Sequence, residues 1–235
     1  GDLMTSLPIV LASGQLLTQE TWTPQIAAWA KRDVRHADHR HDDTIAGMAQ
    51  RLLDAAPARF ALVAHALGGF VAFEVMRRAP ERVARLALIA TLASADGPAQ
   101  TARRQGYIDL VESGRFDQVI EERIPMLFPP EKRDDAELLG LARRMAADTG
   151  AETFLRQQRA IMARIDSRPT LGAIAAPVLL IRGAVDGITT VEQQQEMLDA
   201  IPGARLETLA GVGHLPTIEA AGQTTALLTD WLDRA

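Results

Sequence analysis

Short runs of consecutive apolar residues recur along the chain, and most are followed by a stretch whose apolar positions fall three and four apart. Pro8-Ile9-Val10-Leu11-Ala12 is the first such run, and Ser13-Gly14-Gln15 reads as a tight turn before a polar stretch and Trp22. A helix is expected from about Pro24 to Ala30, then a weak strand from Asp33 to Ala37. Ile45, Met48, Ala49, Leu52 and Leu53 follow helical spacing and predict an amphipathic helix capped by Asp42 or Asp43. Phe60 to Ala64 is a strand that runs straight into a helix with Val71, Ala72, Val75 and Met76 as its buried stripe and Pro80 at its end. Leu86 to Ala90, Val178 to Ile181 behind Pro177, and Leu206 to Leu209 are further strands. Leu227, Leu228, Trp231 and Leu232 mark the last helix.

Strands alternating with helices imply an α/β fold, with a mostly parallel sheet of about six strands, right-handed crossovers and helices on both faces. Strand signals vanish between about Asp96 and Ser167, where helical spacing takes over: Leu138, Leu141, Ala142 and Met145, then Phe154, Ile161 and Ile165. The expected division is therefore a core of residues 1–95 and 168–235, with residues 96–167 as an inserted helical cap. Such an insertion belongs over the strand ends, where open α/β sheets bind ligands. Tyr107, Phe116, Met126, Phe128, Phe154 and Met162 are read as the core of that segment. Any that lined a pocket would favour an apolar acyl or alcohol portion. No internal repeat and no low-complexity tract is evident.

The strand-to-helix junction Ala64-His65-Ala66-Leu67-Gly68 carries the first chemical signal. In the G-x-S-x-G turn of serine hydrolases the central residue is strained, so the residues two before and two after it must be small. Ala64 and Gly68 meet that demand, yet the centre is Ala66, which can neither attack a carbonyl nor hold a proton. Two more turns follow predicted strands: Gly183-Ala184-Val185-Asp186-Gly187 offers a carboxylate, and Gly211-Val212-Gly213-His214-Leu215-Pro216 an imidazole. Each alone is an ordinary turn. Their order along the chain, nucleophile position, acid, histidine, is what joins them.

On these motifs the chain resembles the α/β-hydrolase superfamily of esterase- and lipase-like serine hydrolases, from Leu11 to Trp231, with the opening hairpin strands missing or cut short. The resemblance implies that Ala66 stands at the nucleophilic serine position, that Asp186 orients the imidazole, and that His214 is the general base. It also implies an oxyanion hole from the backbone N–H groups of Leu67 and Gln15, with Ser13-Gly14 where the family has a His-Gly pair. The Gln15 side chain or the Leu16 N–H is an alternative second donor. His65 is expected to be a packed structural residue. The implied activity is carboxylic-ester hydrolysis of small or medium substrates through an acyl-enzyme, with no cofactor. Lactonase, carbon–carbon bond hydrolase and amidase chemistry share the fold. Dehalogenation is disfavoured, because it uses an aspartate at the nucleophile position.

Composition narrows the partners. The chain has 235 residues, 47% hydrophobic and 23% charged, the balance of an ordinary globular protein. A net charge of −5 without a basic block excludes an electrostatic footprint for nucleic acid, and a small-molecule substrate, an ester, is the expected partner. No apolar run approaches the roughly 20 residues that span a bilayer, so no membrane partner and a cytoplasmic location are expected. The absence of cysteine removes disulfides, thiol nucleophiles and thiolate metal sites. His36, Asp38, His39, His41, Asp42 and Asp43 crowd one stretch and pose a metal-dependent hydrolase as a rival, but their spacing misses the H-x-H-x-D-H pattern, and no metal is expected. Gly1-Asp2-Leu3 ahead of Met4 reads as an added remnant.

Two explanations of Ala66 stand. It is an inactivating Ser-to-Ala change in a hydrolase, or the chain is a natural homologue that lost its nucleophile and only binds. In either case the chain as written is expected to be nearly inactive.

Overall fold

A computed structural model describes residues 6–234; the reading of Gly1 to Leu3 lies outside them. Six strands form one all-parallel sheet: β1 (Ile9–Ala12), β2 (Val34–His36), β3 (Phe60–His65), β4 (Val83–Ile89), β5 (Val178–Gly183) and β6 (Arg205–Leu209). Their order across the sheet is β2-β1-β3-β4-β5-β6, every neighbouring pair parallel.

The continuous apolar runs follow from burial on both faces. Alternate residues feed two cores. Val10, Ala12, Leu62, Ala64, Leu86, Leu88 and Leu180 pack beneath α2 (Ile45–Ala55) and α3 (Leu67–Arg78). Ile9, Leu11, Val63, Ala87, Ile89 and Ile181 pack on the other face with Trp22, Trp29 and Trp231, the last from α10 (Ala221–Leu232). The helix α1 (Thr23–Ala28) lies on that second face, where Trp29 Nε1 donates to Thr229 Oγ1 at 2.8 Å.

Two local expectations are corrected. The cap of α2 is Thr44, neither Asp42 nor Asp43: Thr44 has extended backbone immediately before the helix, and its Oγ1 accepts from the Gly47 N–H. Asp42 is instead drawn into an ion pair with Arg51 at 2.8 Å. The first helix begins at Thr23 and ends at Ala28, short of Ala30.

Between β4 and β5 the described chain forms α4 (Pro98–Glu112), α5 (Phe116–Leu127), α6 (Ala136–Thr149) and α7 (Ala151–Ala163), and no strand. Two small apolar clusters tie these helices to loops at the carboxyl ends of the strands. One joins Leu16 to Tyr107, Val119, Ala146 and Phe154; the other joins Leu215 to Ile124, Leu127, Phe128 and Ala142. Two further helices, α8 (Val191–Ala200) and α9 (Pro216–Glu219), flank β6. No helix among the described residues is long and apolar enough to cross a membrane.

From β1 the chain steps to β2 on one side, and β3 then takes the place on the other side of β1. At such a switch point the two loops diverge and leave a crevice. The loops here are Ser13-Gly14-Gln15 after β1 and the turn at Ala66 after β3.

The approach of β1 to α3 is so close that a Cβ on Gly68 would stand 2.1 Å from the Ala12 carbonyl oxygen, whereas one on Gly106, in α4, would meet nothing within 4 Å. Gly68→Ala is therefore expected to lower unfolding free energy by about 3 kcal/mol, because the main chain cannot swing aside. Gly106→Ala is expected to raise it by about 0.5–1 kcal/mol. Urea denaturation of the two variants measures the contrast, and similar values for both would refute it.

Candidate active site

Ala66 occupies the junction of β3 and α3 with φ 50° and ψ −113°. A left-handed alanine costs about 1–3 kcal/mol, so it persists only where its surroundings hold it. Three hydrogen bonds do so. The Ala66 N–H donates to the Ile89 carbonyl at 3.0 Å, and its own carbonyl accepts from the Gly69 N–H and from Thr91 Oγ1, both at 2.8 Å. A Cβ on Gly69 would come within 2.3 Å of that same Thr91 oxygen. The turn is thus locked by main chain and by β4, and its methyl group faces a cavity rather than the core: Ala66 lines it together with Gly14, Gln15, Leu16, Leu17, His214 and Leu215.

Asp186 lies in the turn after β5 and is buried. Its Oδ1 accepts from the N–H groups of Ile188 at 2.8 Å and Thr189 at 3.1 Å, and its Oδ2 from the Thr189 hydroxyl at 2.6 Å. Both oxygens stand 3.1 Å from His214 Nδ1. Burial alone would raise the Asp186 pKa, but the positive charge available on His214, its hydrogen bond, the Thr189 hydroxyl and the Ile188 amide outweigh it and hold the carboxyl well below its usual range. An ionised carboxylate only accepts, so His214 donates through Nδ1–H. Its Nε2 is then the basic nitrogen, without a protein partner among the described residues, on a side chain that lines the same cavity as Ala66.

The loop carrying His214 is fixed by its main chain. The His214 N–H donates to the Leu127 carbonyl at 3.0 Å, and its carbonyl accepts from His65 Nε2 at 2.8 Å. Glu219, whose side chain has no exposed surface, accepts from the N–H groups of Gly213 and Leu215, each at 2.8 Å, and pairs with Lys132. Glu219 is a positioning residue the sequence reading missed. A carboxylate five residues beyond the histidine, at the end of α9, was the available signal. Gly183 allows the loop to sit this close, since a Cβ there would overlap the Gly213 and Val212 carbonyl oxygens.

The loop after β1 is pinned from two sides. Trp22 Nε1 donates to Ser13 Oγ at 2.8 Å, the same hydroxyl shares a hydrogen bond with His36 Nε2 at 2.6 Å, and His39 Nδ1 donates to the Ser13 carbonyl at 3.3 Å. From the helical side, Gln157 Oε1 accepts the Leu16 N–H at 3.2 Å and Gln158 Nε2 donates to Gln15 Oε1. Of the oxyanion-hole alternatives, the Leu16 N–H is committed to Gln157, whereas the Gln15 side chain is held only through its Oε1 and keeps its amide NH2 without an acceptor among the described residues. The N–H groups of Gln15 and Leu67 have no acceptor among the described residues.

The His36 to Asp43 cluster disperses. His36 and His39 turn to Ser13, Asp38 to Arg40 and His41, and Asp42 to Arg51; no group of three or more such side chains among the described residues could hold a metal ion. Of the apolar residues of the insertion singled out above, Tyr107, Phe128 and Phe154 are buried, and none of the six lines the cavity.

The fold and the sequence together define an α/β hydrolase: the alpha/beta hydrolase family matches residues 9–227, and the chain belongs to it. Among curated relatives it is 30% identical over 209 residues to the pimeloyl-[acyl-carrier protein] methyl ester esterase of Photobacterium profundum, spanning 85% of this chain and 82% of that protein. Among solved structures it resembles the enol-lactonase of Burkholderia xenovorans LB400, with TM-score 0.88, 26% identity and coverage of 100% and 94%. A thermophilic esterase from Thermogutta terrifontis is as similar in shape, with TM-score 0.88, 25% identity and coverage of 97% and 90%.

Three histidines stand around the site, His39 and His65 buried and His36 half-buried, and desolvation pushes His36 and His39 down to about 4 and His65 down to about 3. An unfolded histidine takes its proton near pH 6.5. Between about pH 6.5 and 4 the unfolded chain therefore binds protons that the folded chain refuses, and stability falls as pH falls. Each histidine contributes up to about 1.4 kcal/mol per pH unit in that window. Urea midpoints measured from pH 7.5 to 4.5 are expected to decline, and His39→Gln to flatten the decline by about one histidine's share. A slope unchanged by that substitution counts against the assignment.

Proposed function

We propose that the chain is the nucleophile-lacking form of a serine hydrolase that cleaves carboxylic esters of small or medium size. One observation carries this reading: a strained, left-handed turn residue and a histidine held through Nδ1 by a buried carboxylate line one cavity. A packing role alone gives no reason to hold a residue at φ 50° with its side chain on a cavity. In the serine form, His214 Nε2 would take the hydroxyl proton as Oγ attacks the ester carbonyl. The negative charge on the tetrahedral oxygen would meet the Gln15 and Leu67 N–H groups, the second at the N-terminus of α3, where the helix dipole adds to it. Protonated His214 would return the proton to the leaving alcohol, and a water deprotonated by the same nitrogen would release the acid. Asp186 would stabilise the imidazolium throughout.

Residues 96–167 serve in this reading as a cap that shapes the substrate pocket. Its α5 and α6 supply Ile120, Ile124, Leu127, Ala142 and Ala146 to the cavity, an apolar wall suited to the carbon chain of an acyl or alcohol group. The room this cavity offers to water-sized centres is about 20 Å³, little more than one water, so a bound acyl chain would have to be short and would need the α5–α6 wall to move aside. The activities named for two of the relatives, a methyl ester esterase and an enol-lactonase, support ester or lactone chemistry.

Ala66→Ser is expected to raise turnover of short p-nitrophenyl and methyl esters by roughly 10^4- to 10^6-fold. In that background, Asp186→Asn and His214→Ala are each expected to remove about 10^4-fold or more. Assays of the three variants on an ester, lactone and amide panel test this. No serine-dependent turnover, together with tight ligand binding by the alanine chain, would overturn the hydrolase reading in favour of a binding protein.

A further inference from the structure

One wall of the cavity is built by Ile120, Arg123, Ile124 and Leu127, a single face of α5 at helical spacing. Three of the four are apolar, as a pocket wall requires. Arg123 is a cation set in the middle of that face, 5% exposed. Among the described residues it forms no ion pair and no hydrogen bond, and its Nε is fully enclosed without an acceptor. No aspartate or glutamate lines the cavity.

The contrast with the other buried arginines is direct. Arg164 is paired with Asp96 at 2.7 Å, and Arg182 donates to the carbonyls of Ala184 and Thr189. Both are met by protein acceptors through their terminal nitrogens, although their Nε atoms, like that of Arg123, have none among the described residues. Arg123 alone of the three is unbalanced. Its electrostatic neighbours are the Tyr107 phenol and two more cations, Arg103 and Arg104, and the second of these is paired with Asp96. Burial pushes the Arg123 pKa down to about 10, which still leaves it charged at neutral pH. A full charge is therefore kept in an apolar wall with the Tyr107 phenol nearby but no ion-pair or hydrogen-bond partner among the described residues to offset its desolvation.

We propose that Arg123 anchors a carboxylate carried by the substrate, so that the preferred substrates are anionic esters or lactones, such as half-esters of short dicarboxylic acids. The planar guanidinium matches a carboxylate in two parallel hydrogen bonds. A monoanion balances a single uncompensated cation, whereas a phosphate dianion would leave excess charge in an apolar wall. Arg123 and Ala66 face one cavity, so a carboxylate held at the first would orient the carbon chain and present its far ester to the second. This specificity rests on the esterase reading, but the anion site stands on its own geometry.

Two measurements separate the claims. In the Ala66→Ser background, kcat/KM for monomethyl glutarate and monomethyl adipate is compared with that for methyl butyrate and methyl hexanoate. The half-esters are expected to be favoured, and Arg123→Met to lower the half-ester to neutral-ester ratio by at least about 30-fold, with Arg123→Lys restoring part of it. Independently, calorimetry of the unaltered Ala66 chain with monomethyl glutarate, inorganic phosphate and methyl hexanoate reads binding without catalysis. Monomethyl glutarate is expected to bind best, and Arg123→Met to abolish its binding. Ester turnover with no charge preference overturns the anchor and leaves the esterase reading intact. Arg123-dependent half-ester binding without any turnover supports the anchor and overturns the esterase. Phosphate binding tighter than monomethyl glutarate overturns the choice of carboxylate.

Discussion

The left-handed backbone at residue 66 is the constraint on which the rest of the site depends. A strand that must hand its chain to a helix within one residue leaves that residue at φ 50°, where its Cβ is driven out of the sheet and toward the crevice. The conformation is costly for any residue except glycine and survives here because main chain closes around it. Ile89 and Gly69 satisfy its peptide groups, and Gly68 lets α3 pass within contact of the Ala12 carbonyl. A side chain at 68 or 69 would push the helix away and release the strain that aims position 66.

Backbone-on-backbone contact recurs where β5 meets the His214 loop. Gly183 brings the two turns close enough for the Asp186 carboxylate to reach Nδ1 with both oxygens, while Glu219 holds the amides on either side of His214. Charge is balanced inside that arrangement: Asp186 has four donors, and Glu219 has Lys132 and two amides. The cavity wall on α5 follows a different rule. Arg123 is left without an acceptor, and an imbalance on the substrate side of a site is where a ligand's charge has energetic leverage.

The sheet was legible in the sequence because parallel strands buried on both faces are unbroken apolar runs, and Phe60 to Ala64 or Val178 to Ile181 admit no other reading. The turns at 66, 186 and 214 were legible because close approach demands small residues, which leave a visible mark beside the polar ones. What escaped is of another kind. Glu219, Gln157 and Gln158 act on partners that the chain brings near only after folding, and nothing in their own neighbourhood announces the partner. Arg123 falls in the apolar stripe of α5, where an isolated sequence reads a charge as the solvated edge of a helix. The α2 cap was misassigned for a local reason: Asp42, Asp43 and Thr44 all suit the role, and only the backbone shows that Thr44 is the last extended residue. The helix α8 went unread although Thr190 and Gln193 form a capping box at its start.

The helical segment is joined to the sheet both through the loops around Ala66 and His214 and through α7, whose Ala160 and Ile161 pack in the core beneath α3. Leu16 and Leu215 each belong to an apolar cluster of that segment, and Gln157 and Gln158 of α7 bind consecutive residues of the loop that begins at Gly14. A shift of α7 would therefore move the Gln15 amide, and a shift of α5 would move both Arg123 and, through the Leu127 carbonyl, His214. Substrate shape and catalytic geometry are mechanically coupled in this design. None of these links uses the side chain at residue 66, whose hydrogen bonds are all made by its peptide groups. In the proposed reading, exchange of a serine for alanine at this position would leave the fold, the Asp186–His214 pair and the cavity intact, and would separate binding from bond cleavage at a single atom.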